Sequence, residues 1–269
     1  MSFSIFGVEI FVYGIIVASS MLAAFIVGLV IFKLIGYKEE IAYLILALVI
    51  PLGIIIARLY YVAFSPHNFS RFFDIINIRG GGMAIYGGII GGALGLFIAS
   101  RIKKVGFYTL ADIAVIGLIL AQAIGRWGNF VNEEIYGFGV SNHVPPFTVN
   151  IGGSYHLSTG FIESMLNLIG FGLMVWLFFY LRKRGTYKWG ITSGFYLIWY
   201  GTVRAILEPL RDPNYILRIF PNGPNIVFNQ VSFMLSIALV ILGVLLLVAV
   251  RLGYVSQENN ACLKTKTDT

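Results

Sequence analysis

Val231-Ser232-Phe233-Met234-Leu235-Ser236-Ile237-Ala238-Leu239-Val240-Ile241-Leu242-Gly243-Val244-Leu245-Leu246-Leu247-Val248-Ala249-Val250 runs for twenty residues without a charge. Twenty helical residues rise about 30 Å, the thickness of a bilayer's hydrocarbon core. Lipid offers the backbone no hydrogen-bond partner, so such a run is read as a spanning helix that satisfies its own amides. Working outward from it, six more apolar windows follow the same pattern: about Tyr13 to Phe32, Ile41 to Phe64, Met83 to Ser100, Leu110 to Trp127, Phe161 to Leu181 and Gly190 to Leu210. Hydrophobic residues are 58% of the 269 and charged residues 12%, too few to cover a water-soluble fold, which carries roughly 25%. The pattern predicts an all-α polytopic membrane protein with about seven transmembrane helices in a single domain over residues 1–255, followed by a polar tail, 256–269. The first twelve residues contain Glu9 and no Lys or Arg, unlike the basic start of a cleaved signal peptide, so the first apolar stretch is expected to stay as a span.

The net charge of +7 is unevenly placed. With loops assigned alternately to the two sides, Lys33, Lys38, Arg101, Lys103, Lys104, Arg182, Lys183, Arg184, Lys188, Arg251, Lys264 and Lys266 share one side, twelve of the nineteen basic residues. The positive-inside rule makes that side cytoplasmic, which places the N-terminus outside, the C-terminus and tail inside, and makes the number of spans odd. Two longer stretches then fall outside, Ser65 to Gly82 and an arm or head at about Gly128 to Gly160. The second is rich in turn formers, with apolar residues between them that suggest short strands. Basic loops of this kind suit membrane lipid, whereas nucleic acid would need a soluble basic face that the chain lacks. Cys262 is the single cysteine, which excludes an internal disulfide framework. No HExxH, GxSxG, Walker or dinucleotide motif is present, and the sequence calls for no cofactor and no metal.

Polar residues inside or at the ends of spans are costly and therefore mark function. The fourth window ends in Gly125-Arg126-Trp127-Gly128-Asn129-Phe130-Val131-Asn132-Glu133-Glu134-Ile135-Tyr136-Gly137, a guanidinium followed by two amides and two carboxylates at the outer boundary. An interfacial cap would account for a snorkelling Arg126 and an anchoring Trp127 but not for both Asn and both Glu. Tyr200, Arg204, Glu208 and Arg211 follow at spacings of four, four and three, one helix stripe, with Glu208 placed to hold Arg204 in one rotamer. A structural Arg–Glu pair joining helices is the competing reading. Gly87, Gly91 and Gly95 make a small-residue face for close helix packing, while Gly80 to Gly82 sit at a helix mouth whose N–H groups suit an anion. Arg58, near the outer end of the second window, is expected to snorkel. His67, His143 and His156 all fall in outer loops, where a histidine is usually solvated. His156 precedes the fifth window, with Glu163 one turn inside it, and is a candidate for supporting hydrogen bonds. Two arginines at the outer leaflet suit an anionic phosphate, because the guanidinium fork binds it in a bidentate manner and keeps its charge.

The stretch Gly125 to Glu134 resembles the signature of the bacterial prolipoprotein diacylglyceryl transferases. Supporting matches, in the family's order, are Tyr13-Gly14, Ala57-Arg58-Leu59-Tyr60-Tyr61-Val62, Gly81 to Gly88, and Tyr200-Gly201-Thr202-Val203-Arg204 through Glu208 to Arg211-Asp212-Pro213. The resemblance implies seven spans with the N-terminus outside. It also implies transfer of the diacylglyceryl group of phosphatidylglycerol to the lipobox cysteine thiol of a preprolipoprotein in the bacterial cytoplasmic membrane. Carried over by position, it implies catalytic roles for Arg126, Arg204, Tyr86, Glu134, Tyr200 and Glu208. Substrate contacts would come from Tyr13, Asn129, Asn132, Gly137, His156 and the two arginines. The chain departs from the family at Tyr86, where His is frequent, and in His156 to Glu163, a loose version of the family's His-Pro-Ser-x-Leu-Tyr-Glu, so the general base stays open. A transporter or flippase for an anionic lipid and a structural scaffold are the competing classes. Internal symmetry or broken helices, which would favour a transporter, are not visible.

Overall fold

Each apolar window becomes a helix in the computed structural model, which describes residues 2–5, 8–64, 72–77, 81–215 and 230–255. The long helices are α1 (Val12–Leu34), α2 (Glu40–Phe64), α4 (Ile85–Lys103), α5 (Phe107–Val131), α6 (Thr159–Lys183), α7 (Ile191–Leu207) and α8 (Val231–Leu252), with a short α3 (Phe72–Ile76) after α2. All of the long ones except α7 are long and apolar enough to cross a membrane. The chain is therefore a polytopic, mostly helical membrane protein. α7 has 17 residues, about 26 Å of helix, and tightens into a 3-10 turn at Glu208–Leu210.

The short strands expected in the arm form one small sheet, and an N-terminal hairpin that the all-α expectation did not include forms another. Ser2–Ile5 (β1) pairs antiparallel with Val8–Phe11 (β2). In the arm, Gly139–Val140 (β3), Thr148–Ile151 (β4) and Ser154–Leu157 (β5) form an antiparallel sheet in the order β3-β5-β4. A backbone that leaves a helix must still pair its polar groups, and the Gly152-Gly153 turn, with both residues at positive φ, folds β5 back onto β4 to do so. His67, Gly80, Cys262 and the tail 256–269 lie outside the described residues.

The chain divides into two compact units. One takes in the described residues from Leu29 to Ala111, the other those up to Gly28 and from Asp112 onward. In the first, α4 lies against α2 through its glycines, as expected of a small-residue face. A Cβ on Gly87 would run into the Ile56 carbonyl and Ala57, one on Gly91 into Leu52, and one on Gly95 would sit 2.9 Å from the Val49 Cα. Backbones this close gain dispersion that bulkier residues would forfeit. Arg58 does not snorkel. It is 7% exposed and donates to the carbonyls of Ile75 (2.8 Å), Gly81 (2.6 Å) and Gly82 (2.8 Å). The reason is that Gly81 and Gly82, at positive φ, turn carbonyls that no helix satisfies.

In the second unit the buried core holds Ile113, Ile116 and Ile119 on α5, Met174 and Phe178 on α6, and Val203 and Leu207 on α7. At its edge Asp112, fully buried, accepts from the Tyr187 hydroxyl, the Gly190 amide (2.7 Å), the Ser193 amide (2.8 Å) and the Ser193 hydroxyl (2.6 Å). The residue before α7 is Gly190, which has no side chain to cap the helix, so a carboxylate from α5 does it instead. Burial and the negative charge of Asp112 hold the Tyr187 phenol well above its ordinary pKa, so it remains a donor. The clamp ties one end of α5 to one end of α7, and the arginines sit at the other ends.

Candidate active site

α5 carries its signature through to Val131 and ends in a tight C-terminal turn. The Glu134 amide donates to the Asn129 carbonyl (3.0 Å), and Glu133 takes the left-handed conformation at φ 53 that glycine usually fills there. Ile135 also has positive φ, at 58, which for a β-branched residue is a strained backbone. The Thr159 hydroxyl holds it by donating to the Ile135 carbonyl (3.0 Å). The turn sends Glu134 back over α5, where its Oε1 accepts from the Asn129 amide (3.2 Å) and lies 3.5 Å from the Asn132 amide. The signature's polar residues therefore fold onto one another. Beside them is a small open cleft lined by Asn129, Glu134, Tyr136, Ser158 and Gly160 among others.

Next to this turn lies a buried ion network. Arg126 Nη2 is 2.7 Å from Glu163 Oε1, Arg204 Nη1 is 3.3 Å from Glu163 Oε2, Arg204 Nη2 is 2.8 Å from Glu208 Oε2, and Arg211 Nε is 3.5 Å from the same oxygen. Arg126 Nη1 also reaches Asn129 Oδ1 at 3.4 Å. Three guanidiniums against two carboxylates leave one net positive charge, in a place where the side chains are between 1% and 17% exposed. Burial, then the like charge of Arg204, brings the Arg211 guanidinium down to about 10, so it is still charged at neutral pH. Among the described residues Glu208 Oε1 has no hydrogen-bond partner, an acceptor left for a donor from elsewhere.

The arm is fastened to the end of α7. The Phe138 amide donates to the Leu210 carbonyl (3.1 Å), the Asp212 amide to the Tyr136 carbonyl (3.1 Å), and the Gly137 amide to the Leu157 carbonyl (2.7 Å). Gly137 faces Arg211 in this ladder, and a Cβ there would meet the Leu210 carbonyl oxygen at 2.6 Å and Leu157 Cβ at 2.9 Å. Only glycine fits that crossing.

Of the residues expected at a site, the structure brings Arg126, Asn129, Asn132, Glu134, Arg204 and Glu208 into one connected set. Tyr200 stacks on Tyr196 at 5.7 Å with ring planes 5° apart, within electrostatic reach of Glu163 and Arg204. Tyr13 packs its ring over Gly128, where a Cβ would come within 2.8 Å of it. His156 is not drawn into the ion network: its contacts are the Gly137 carbonyl (3.1 Å) and the Tyr136 ring (4.5 Å), so it supports the arm. Tyr86 belongs to the other unit, where its ring lies 6.3 Å from that of Tyr60. Sequence reasoning underrated Glu163, the residue on which both arginines converge. A signal was present: Glu163 lies one turn inside the fifth window, and two buried arginines with Glu208 nearby still demand a second carboxylate.

Comparison with known proteins agrees with this arrangement. Residues 1–249 match the family model described as prolipoprotein diacylglyceryl transferase. The chain is 39% identical over 221 residues to the phosphatidylglycerol–prolipoprotein diacylglyceryl transferase of Enterococcus faecalis, covering 78% of each chain. It is 45% identical over 204 residues to the protein of that name in Lactococcus lactis, covering 74% of each, and 36% identical over 247 residues to that of Finegoldia magna, covering 91% of this chain and 93% of the other. A strained, polar helix end and a buried pair of arginines thus occur in a chain that belongs to the prolipoprotein diacylglyceryl transferase family.

Proposed function

We propose that this chain transfers the diacylglyceryl group of phosphatidylglycerol to the thiol of the lipobox cysteine in a preprolipoprotein, forming a thioether and releasing glycerol phosphate. The observation that carries the reading is the convergence of Arg126 from α5 and Arg204 from α7 on Glu163, within 2.7 and 3.3 Å. Two guanidiniums held this closely by one carboxylate are preorganised for a phosphate. In the reaction the cysteine sulfur attacks the glycerol carbon that bears the phosphate; the C–S bond forms as the C–O bond breaks and its electrons leave on phosphate oxygen. A free thiol has a pKa near about 8.5, so losing its proton is a modest cost under the positive potential of two arginines. The leaving anion is the larger demand, and fixed cations meet it without reorganising during the reaction.

Around that centre, Glu208 holds Arg204 and Arg211, and Glu134 with Asn129 and Asn132 orients the end of α5. Tyr13, Gly137 and His156 shape the substrate site, Tyr200 adds a hydroxyl, and Tyr86 donates a hydrogen bond to the phosphate or the thiol. The seven long helices act as seven spans of the bacterial cytoplasmic membrane, N-terminus outside, with residues 1–255 as one catalytic domain. The arm at 128–160 lies on the extracytoplasmic side and the tail 256–269 in the cytoplasm. The deciding assay uses purified protein, phosphatidylglycerol and a lipobox peptide, with glycerol phosphate release as the readout. Arg126→Gln and Arg204→Gln should each lower turnover at least about 100-fold while inserting normally, the size of losing one transition-state donor. Lys should rescue poorly, since it lacks the planar fork. A Gln variant with wild-type turnover would reject the assignment.

A further inference from the structure

One helical turn below the arginines, α5, α6 and α7 enclose a second polar layer that the proposed reaction does not use. Asn167 follows Glu163 by one turn on α6, Gln122 precedes Arg126 by one turn on α5, and Tyr196 precedes Tyr200 by one turn on α7. The three helices close beneath it at Gly170, where a Cβ would run into the Trp199 indole nitrogen and lie 2.8 Å from Ile119 Cδ1. Asn167 has no exposed surface, and Tyr196 is 8% exposed. Gln122 donates its amide to the Tyr196 hydroxyl at 2.8 Å. Its Oε1, both polar atoms of Asn167 and the Trp199 Nε1 are buried without a hydrogen-bond partner among the described residues.

Four unpaired polar atoms in one layer of a membrane interior would be severely costly, since neither lipid nor the isoleucines of the layer below can serve them. Their chemistry selects what does. Asn167 Nδ2 and Trp199 Nε1 are donors, whereas Asn167 Oδ1 and Gln122 Oε1 are acceptors. An ester carbonyl or a phosphate would satisfy the first pair and leave the second unmet, and an ammonium would do the reverse. The occupant must donate and accept at once, and water, with two donors and two acceptor lone pairs, can serve all four atoms. We propose that Gln122, Asn167 and Trp199 form an internal water site beneath the arginine network, whose bound water joins α5, α6 and α7 and hydrates the underside of Glu163 and Tyr200. This inference is independent of which reaction the arginines serve.

The test is X-ray radiolytic footprinting of the full-length protein in nanodiscs, scoring oxidation of Trp199 by mass spectrometry. The Trp199 side chain is half-buried and its Nε1 is sealed off; radicals made from a water held against that nitrogen oxidise the indole in place, so Trp199 should be labelled in lipid nanodiscs. Asn167→Leu should cut that labelling by at least about threefold as the water is evicted. The unfolding temperature gives a second readout of opposite sign for the two cases. If the layer holds water, Asn167→Leu leaves donors and acceptors newly unpaired and lowers the temperature; if the layer is dry, removing two unpaired groups raises it. Should Asn167→Leu fail to fold, Gln122→Leu carries the labelling readout, since its unfolding temperature also reflects the lost hydrogen bond to Tyr196. Phosphatidylcholine and phosphatidylglycerol nanodiscs separate water from a lipid hydroxyl. Labelling in both indicates water, while labelling only with phosphatidylglycerol indicates its headgroup glycerol and overturns the proposal. Background labelling of Trp199 in the wild type, or a raised unfolding temperature in Asn167→Leu, also overturns it.

Discussion

Glu163→Gln tests the arrangement at its centre, because it keeps the side chain's shape and removes only the charge between two arginines. Each guanidinium–carboxylate contact puts charge centres roughly 4 Å apart, worth about 4 kcal/mol at an effective dielectric near 20. Burying the carboxylate offsets much of that, so the intact network adds little net stability. Removing one member is different. Arg126 and Arg204 are left facing each other around a neutral amide whose N–H₂ repels at least one of them. The expected cost is about 3–5 kcal/mol, a large part of the roughly 5–15 kcal/mol by which a domain is stable. Thermal unfolding in detergent should show it as a lowered midpoint, with turnover reduced at least about 100-fold as the fork geometry relaxes. Inorganic phosphate should then raise the midpoint more in Glu163→Gln than in the wild type, since an anion takes the position the carboxylate held. Glu163→Asp, one methylene shorter, should reach one arginine and fall between the two. A Glu163→Gln protein with wild-type midpoint, turnover and phosphate response would refute the idea that this carboxylate spaces the arginines.

Four other outcomes follow from the structure. Gly137→Ala should open the ladder between the arm and the end of α7, costing about 1–3 kcal/mol by overpacking, and limited proteolysis should cut the arm faster. Asp112→Ala strands the donors of Tyr187, Gly190 and Ser193 and should destabilise by at least about 2 kcal/mol; Asp112→Asn, which keeps acceptor oxygen, should lose less in the same unfolding assay. Tyr86→Phe, which removes only the hydroxyl, should lower turnover in the glycerol phosphate release assay; unchanged turnover would leave Tyr86 a packing residue. Single cysteines at Ser141 or Ser154 in a Cys262→Ser background should react with an impermeant maleimide in intact spheroplasts; labelling only after lysis would reverse the proposed topology.

What the sequence alone determined is whatever is written in runs and periods. Charge-free windows such as Val231 to Val250 are helices because a segment in lipid must satisfy its own backbone, and that depends on no other segment. The Arg204–Glu208 contact was legible for the same reason, four residues being one helical turn. The glycine face of α4 was also legible, since its spacing places Gly87, Gly91 and Gly95 on one side whatever they meet. The tertiary structure alone decided the pairings between segments. Glu163 sits 37 residues from Arg126 and 41 from Arg204, and no local rule places it between them. Asp112 caps a helix 78 residues away. Arg58 looked like a residue that would snorkel, and only the fold supplied three carbonyls for it to hold. His156 lay close enough in sequence to Glu163 to suggest a shared site, yet strand β5 pairs it with the arm instead. The physical reason is the same in each case. A buried charge or amide is satisfied by whichever partner the packing of helices brings near, and that packing is settled by surfaces whose contacts the order of residues does not state.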